Sequence, residues 1–259
     1  MISKNQVKYI RSLHQKKARE SHRQFIAEGS RLVLEAAAGP FPVVAVYGLH
    51  DWIHAHGSFL EQRSIPFDSV TVEEMERITA LSSPSPALAV LGMREEEKIP
   101  APDSGSLTLI LDEIRDPGNL GTIIRIADWF GIRLVICSPD TVELYNPKVI
   151  QATMGSFCRV AVHYAPLKDY LSEDFVPAKV YGTFLEGKNI YQEQLAPEAF
   201  IVIGSESRGI SAEVETMITD KLTIPSFPSH GADAILAESL NAAVATAIVC
   251  SEFRRQSHA

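Results

Sequence analysis

The run LTLILDEIRDPGNLGTIIR, residues 107–125, sets the reading of the whole chain. Leu107 to Leu111 is apolar and free of breakers, the pattern of a strand buried on both faces. Pro117 and Gly118 turn the chain. Gly121 permits a close backbone approach, and a helix is predicted from Asn119 to Phe130, stopped by Gly131. A buried strand followed by a polar loop and a helix is the unit from which parallel α/β sheets are built. In such sheets ligands sit beyond the C-terminal strand ends. Taken alone, Asn119 reads as a helix cap and Arg125 as an exposed basic residue.

Downstream the alternation continues. Strands are predicted at Leu134–Cys137, Arg159–Val162, Lys179–Thr183, Phe200–Ile203 and Leu222–Ile224. Lys148 to Thr153 falls in a helix, and a long terminal helix is predicted from Leu236 to Phe253. Two more strand ends carry polar loops. One is Ile203-Gly204-Ser205-Glu206-Ser207-Arg208-Gly209-Ile210. Its glycine spacing resembles a phosphate-binding loop, but Ile210 stands where the required lysine would be, which argues against a nucleotide triphosphatase. The other runs from Leu222-Thr223-Ile224-Pro225-Ser226 through a long connection to Ala237-Glu238-Ser239-Leu240-Asn241. There Ser239 reads as a cap and Asn241 as a first-turn residue. Ala242, Ala243, Ala245 and Ala247 allow close helix packing within the domain or against a second copy.

Upstream, Val7, Ile10, Leu13 and Lys17 fall at spacings of three and four, so an amphipathic helix is predicted within the first 25 residues. A short strand at Phe25–Glu28, a helix at Arg31–Ala38, a strand at Val43–Tyr47, a helix at Trp52–Gln62 and a strand at Ala87–Leu91 make a small α/β unit. Residues 94–106 are charged, then contain Pro and Gly, and read as a linker. The expected organisation is therefore a domain at 1–93, a linker at 94–106 and a second domain at 107–259.

The 259 residues are 46% hydrophobic and 22% charged, ordinary for a globular chain. No segment offers the roughly 18–20 apolar residues that span a bilayer. Cys137, Cys158 and Cys250 are scattered and odd in number, which fits reduced thiols in a cytoplasm and no disulfide framework. The net charge is −8, but it is polarised. Residues 1–25 carry Lys4, Lys8, Arg11, Lys16, Lys17, Arg19 and Arg23 against Glu20 alone. A basic end of this kind can meet phosphates.

The three strand-end loops carry Asn119 with Arg125, then Glu206, then Ser239 with Asn241. In that order they resemble the three signature motifs of the SpoU (TrmH-type) RNA 2′-O-ribose methyltransferases of the SPOUT superfamily. Asn146-Pro147-Lys148 with Met154-Gly155-Ser156 resembles the intermotif segment. Residues 3–38, with Lys16-Lys17, Phe25 and Glu28-Gly29, resemble that family's ribosomal-protein-like substrate-binding domain.

The resemblance implies an α/β fold in which the C-terminal domain is knotted as a deep trefoil around a mostly parallel sheet. It implies S-adenosylmethionine as methyl donor, a ribose 2′-hydroxyl of ribosomal or transfer RNA as acceptor, no metal, and a homodimer. Asn119, Arg125, Glu206, Ser239 and Asn241 become the expected catalytic set. Thr183, Leu185, Gly204, Ile224, Ser226 and Leu240 become the expected cofactor contacts. Lys16, Lys17, Arg19 and Arg23 become the expected RNA grip. A guanidinium is a poor base near neutrality, so Arg125 is read as a group that positions phosphate and hydroxyl. The connection from Ser226 to Glu238 is longer than the resemblance leads one to expect. Two other readings stay open: an RNA-binding protein that has kept the fold without catalysis, and a relative that methylates a base nitrogen.

Overall fold

The computed structural model describes residues 2–94, 98–227 and 238–257. Its secondary structure divides between two compact units, one formed by the N-terminal residues with 143–159 and one by 98–142 with the residues from 160 onward.

The first unit holds helices α1 (Lys4–Ser12) and α2 (Lys16–His22), strand β1 (Gln24–Glu28), α3 (Ser30–Ala38), β2 (Val43–Leu49), α4 (His50–Glu61), β3 (Phe67–Val70), α5 (Val72–Glu76) and β4 (Ala87–Gly92). Its four strands lie in the order β1-β4-β2-β3. The predicted first helix is in fact two, broken at 13–15. Val7, Ile10 and Leu13 are nevertheless buried, as their spacing predicts. They join Ile26, Met75, Ile78, Leu88 and Val90 in one core. On another side of β1, Phe25 packs against Phe41, Tyr145 and Phe157, with ring centroids 4.6–6.0 Å apart. These aromatic contacts explain why 143–159, with helix α7 (Pro147–Thr153), pack with this unit. The domain boundaries expected from the sequence place that segment in the second domain.

The second unit holds β5 (Leu107–Leu111), α6 (Pro117–Trp129), β6 (Leu134–Cys137), β7 (Ala161–Tyr164), α8 (Leu167–Tyr170), β8 (Val180–Asn189), β9 (Ala199–Ile203), α9 (Ala212–Glu215), β10 (Asp220–Thr223) and α10 (Ala242–Ser257). Its sheet has the order β10-β8-β9-β5-β6-β7. Every pairing in it is parallel. The central strands β5 and β9 are buried at every residue, as expected for a sheet covered on both faces. From β5 the chain builds outward through β6 and β7, then returns to place β8, β9 and β10 on the other side. The strand order therefore reverses between β5 and β9, where the ends Leu111 and Ile203 are register partners. A crevice opens at such a reversal. The loops that leave Leu111 and Ile203 thus emerge side by side.

Two helix starts differ from the sequence reading. Helix α6 begins at Pro117, because Asp116 is its N-cap and accepts from Asn119 N at 2.8 Å. Proline is pre-organised for that first helical position. Helix α10 begins at Ala242, and 238–241 are not helical. Asn241 terminates it by accepting from Ala243 N and Val244 N at 3.0 and 3.2 Å. The predicted helical residues Leu236 and Ala237, like the bulk of the long connection, lie outside the described residues. So does part of the segment through which a knot would thread. Among the described residues no helix is long and apolar enough to cross a membrane.

Candidate active site

Strand β9 delivers Gly204 to Ile210 to the C-terminal edge of the sheet. The loop folds back on itself, with Ser205 N donating to Gly209 O and Gly209 N donating to Ser205 O at 3.1 and 2.8 Å. Gly209 has φ +69°, a region that favours glycine. Gly204 has no room for a side chain, since a Cβ there would collide with the Gly209 carbonyl and Ile210 N. Below it, Asp112 is only 3% exposed and accepts from Ser211 N at 2.7 Å. That buried carboxylate ties the loop after β5 to the end of the loop after β9.

Three side chains, one from the first turn of α6 and two from the later loops, then meet. Asn119 Nδ2 donates to Glu206 Oε1 at 2.6 Å. Asn241 Nδ2 donates to the same oxygen at 2.9 Å and to Asn119 Oδ1 at 2.8 Å. Ala242 N, in the first turn of α10, donates to Glu206 Oε1 at 3.2 Å. A carboxylate at the N-terminus of a 16-residue helix also meets the positive end of its dipole. Asn119 is available for this because Asp116 caps the helix in its place. Asn241 plays two parts at once, since its Oδ1 caps α10 while its Nδ2 reaches Glu206.

Beside this cluster lies a cleft of about 1050 Å³. This is at the upper end of the roughly 300–1,000 Å³ of small-molecule sites. Thr183, Leu185, Gly204, Glu206, Ile224, Ser226, Ser239 and Leu240 all line it. One wall comes from an irregularity in β8. Gly182 pairs with Lys221 and Lys188 with Leu222, so 183–187 are looped out between them. Thr223 Oγ1 holds this loop by donating to Leu185 O at 2.9 Å. Its lining combines apolar Leu185, Ile203, Ile210 and Leu240 with both acidic and basic side chains, Glu206 and Glu238 among the former and Arg208 and Lys221 among the latter.

The remaining expected site residues are placed differently. Arg125 is exposed on α6 and makes no hydrogen bond or ion pair among the described residues. It lies six residues beyond Asn119, hence about 9 Å along the helix and about 120° around it. It is therefore not joined to the Asn119–Glu206–Asn241 cluster. In the N-terminal unit Lys16 and Lys17 are exposed, with Lys16 3.7 Å from Glu20. Arg23 is exposed and donates to Arg94 O at 2.7 Å. Arg19 is a correction. It is 2% exposed, donates to Leu13 O at 2.9 Å and forms an ion pair with Glu143. Its guanidinium is committed inside the unit and cannot reach an RNA backbone. The sequence reading also passed over Asp112 and Asp116, the residues that set the loop after β5. Their signals were present: a carboxylate directly after a buried five-residue strand, and an acid directly before a proline.

A site built from loops at the C-terminal strand ends of a parallel sheet, with a small-molecule cleft and a polar cluster at its lip, defines a cofactor-dependent α/β enzyme. Residues 106–251 match the SpoU rRNA Methylase family, and residues 4–89 match the MRM3-like substrate binding domain. The chain is similar to the 23S rRNA (guanosine(2553)-2′-O)-methyltransferase RlmP of Bacillus subtilis, 32% identical with 97% of each chain covered. It is also similar to the solved structure of a TrmH-family protein from Porphyromonas gingivalis, 37% identical with a TM-score of 0.84 and 99% of each chain covered. An S-adenosylmethionine-bound rRNA methyltransferase from Sinorhizobium meliloti is 27% identical, with a TM-score of 0.83, 98% of this chain and 97% of that chain covered. The protein belongs to the SpoU rRNA methylase family.

Proposed function

We propose that this protein transfers the methyl group of S-adenosylmethionine to a ribose 2′-hydroxyl of ribosomal RNA. The observation that carries the reading is the Glu206 carboxylate, held by Asn119, Asn241 and Ala242 N at the lip of the cleft. The cleft fits the donor. It is large enough, its lining offers apolar surface for a base, and four carboxylates against Arg208 and Lys221 leave it net acidic toward a cationic ligand. Thr183, Leu185, Gly204, Ile224, Ser226 and Leu240 are the residues that would hold it. S-adenosylmethionine supplies an electrophilic methyl group and a neutral leaving group. The protein's share is positioning, which for a well-oriented pair of reactants is a large part of the barrier. Glu206, Asn119 and Asn241 fix the loops that form the cleft. Ser239 shapes its wall. Arg125 positions the acceptor strand, and Lys16, Lys17 and Arg23 grip RNA at the N-terminal unit.

A homodimer is part of the reading. Trp129 is 84% exposed on α6, and Val244 is also exposed on α10, the helix packed against α6. Such apolar side chains suit a symmetric interface between copies. Arg125 is one turn before Trp129 on the same face, so pairing there brings it to a shared groove. The reading also carries a cytoplasmic location and a trefoil knot in the C-terminal segment.

Incubation with methyl-labelled S-adenosylmethionine and ribosomal RNA, followed by nucleoside mass spectrometry, tests the proposal. A 2′-O-methyl nucleoside supports it. A base-methylated nucleoside, or cofactor binding without transfer to any RNA, overturns it. Arg125→Ala should abolish transfer with the fold intact, and near-normal turnover would remove Arg125 from the assignment.

A further inference from the structure

Two arginines next to the cluster have no role in the reading above, although Arg208 also lines the cleft. Arg115 stands in the loop after β5, just before the cap Asp116. Arg208 stands in the loop after β9, two residues beyond Glu206. The two are joined by one acid. Glu113 Oε2 accepts from Arg115 Nη2 at 2.8 Å and lies 3.7 Å from Arg208 Nη1. The arginine side chains are 58% and 69% exposed, whereas Glu113 is 22% exposed. Each guanidinium has five N–H donors, and one carboxylate cannot neutralise two cations. The trio therefore presents a net positive charge and spare donors to solvent, in a chain whose net charge is −8.

The backbone shows that this arrangement is built. Glu113 is a non-glycine residue with φ +55°, and its N–H donates to Ser138 Oγ at 2.9 Å. Such a conformation persists only where the surroundings hold it. Arg208 N donates to Ser205 Oγ at 3.2 Å, within the loop that also presents Glu206. Both arginines thus rise from the two rigid loops whose other residues form the catalytic cluster and the cleft.

We infer that Arg115 and Arg208, oriented by Glu113, form a clamp for a backbone phosphate of the RNA strand beside the acceptor ribose. Planar guanidiniums recognise phosphate through paired hydrogen bonds, which lysine cannot reproduce. A nucleotide whose ribose reaches the lip of the cleft carries phosphates on both sides, and Arg208 itself lines that cleft beside Glu206. Glu113 is a positioning residue that touches no substrate. The inference rests on the proposed methyl transfer to RNA.

The test is steady-state and binding analysis of the full chain with ribosomal RNA over a range of salt. Arg115→Ala and Arg208→Ala should each raise KM for RNA about tenfold, with kcat changing much less. Each should reduce the slope of log K against log salt by about one. Arg115→Lys should restore the slope and only part of the affinity, because it returns the charge and not the fork. Glu113→Gln should raise KM while leaving the slope undiminished. Unchanged KM and slope in both alanine variants would overturn the clamp. Calorimetry with S-adenosylmethionine on Arg115→Ala should give wild-type affinity, and a lost cofactor site there would also overturn it by making the residue structural. If wild-type protein transfers no methyl group to RNA, it is the functional reading that fails. If wild type transfers normally and the variants bind RNA as it does, only the clamp fails.

Discussion

Asn241 Nδ2 donates to Glu206 Oε1 at 2.9 Å across 35 positions of sequence, and the same oxygen receives Asn119 Nδ2 and Ala242 N. One carboxylate oxygen therefore joins the starts of two helices to the loop between them. Glu206→Ala leaves three donors without their acceptor and frees the loop. Displacements of about 1 Å can cost roughly a hundredfold in rate. The expected result is a single-turnover methyl-transfer rate lowered by about that factor, with an unchanged far-ultraviolet circular dichroism spectrum. A rate within twofold of wild type would show that the junction has no catalytic weight.

Gly204 lies where a Cβ would strike the Gly209 carbonyl and Ile210 N. These are backbone atoms and cannot swing aside as a flexible side chain can. Gly204→Ala must shift the returning arm of the loop, and with it one wall of the cleft. Calorimetry should show weaker binding of S-adenosylmethionine by about tenfold or more. Equal affinity would mean that the loop does not shape the cofactor site.

Glu143 is the carboxylate partner of the buried Arg19. Removing one member of such a pair strands the other's charge. Glu143→Ala should therefore destabilise the N-terminal unit by about 3 kcal/mol, read as a drop of roughly 6–12 °C in Tm. Glu143→Gln, which keeps an acceptor, should cost less. Equal losses would assign the effect to packing.

The grip on RNA should now be tested without Arg19. Lys16→Ala with Lys17→Ala should weaken RNA binding and flatten its salt dependence while Tm stays near the wild-type value, since both side chains are exposed. A salt slope identical to wild type in filter binding would exclude the helix from the interface.

Asp220 lies on β10 between Lys179 and Lys188, with oxygens at 2.8 and 3.3 Å from the two ammonium groups. The hydrogen bond from Lys179, opposed by some desolvation and helped by Thr219 and Lys188, holds its carboxyl below the usual aspartate range. A depressed folded-state value adds stability above the unfolded value, which disappears as pH falls through the folded one. Asp220→Asn should thus lower Tm at pH 7, and the gap to wild type should persist to about pH 4 and close below it. A gap that is constant down to pH 2 would show that the charge is irrelevant.

The sheet was legible because each strand is a short apolar run closed by polar or turn residues. Leu107–Leu111 is read to the residue, and its neighbours to within one or two. Periodicity also identified the buried face of α1. Partners far apart in sequence were not legible. Nothing near Arg19 announces Glu143, which lies 124 positions away, so a basic residue on a basic helix passed as surface. The cap of α6 was misassigned to Asn119, although Asp116 before Pro117 carried the signal. The side chains of Asn119, Glu206 and Asn241 were each legible as polar residues at strand ends. Their mutual contact was not, since it follows from the strand order reversing between β5 and β9.

Because Asn241 and Ala242 complete the bonds to Glu206, the loop after β9 has no finished partner until the segment leading into α10 is in place. Synthesis runs from the N-terminus, so every strand of the sheet and the loop that carries Glu206 are made before Asn241 and Ala242. Competence for catalysis is then a late event in the life of each chain, set by the docking of α10. A chain that stops after β10 lacks both the donors of Asn241 and Ala242 and the buried face of α10, which carries Ala243, Val249 and Phe253.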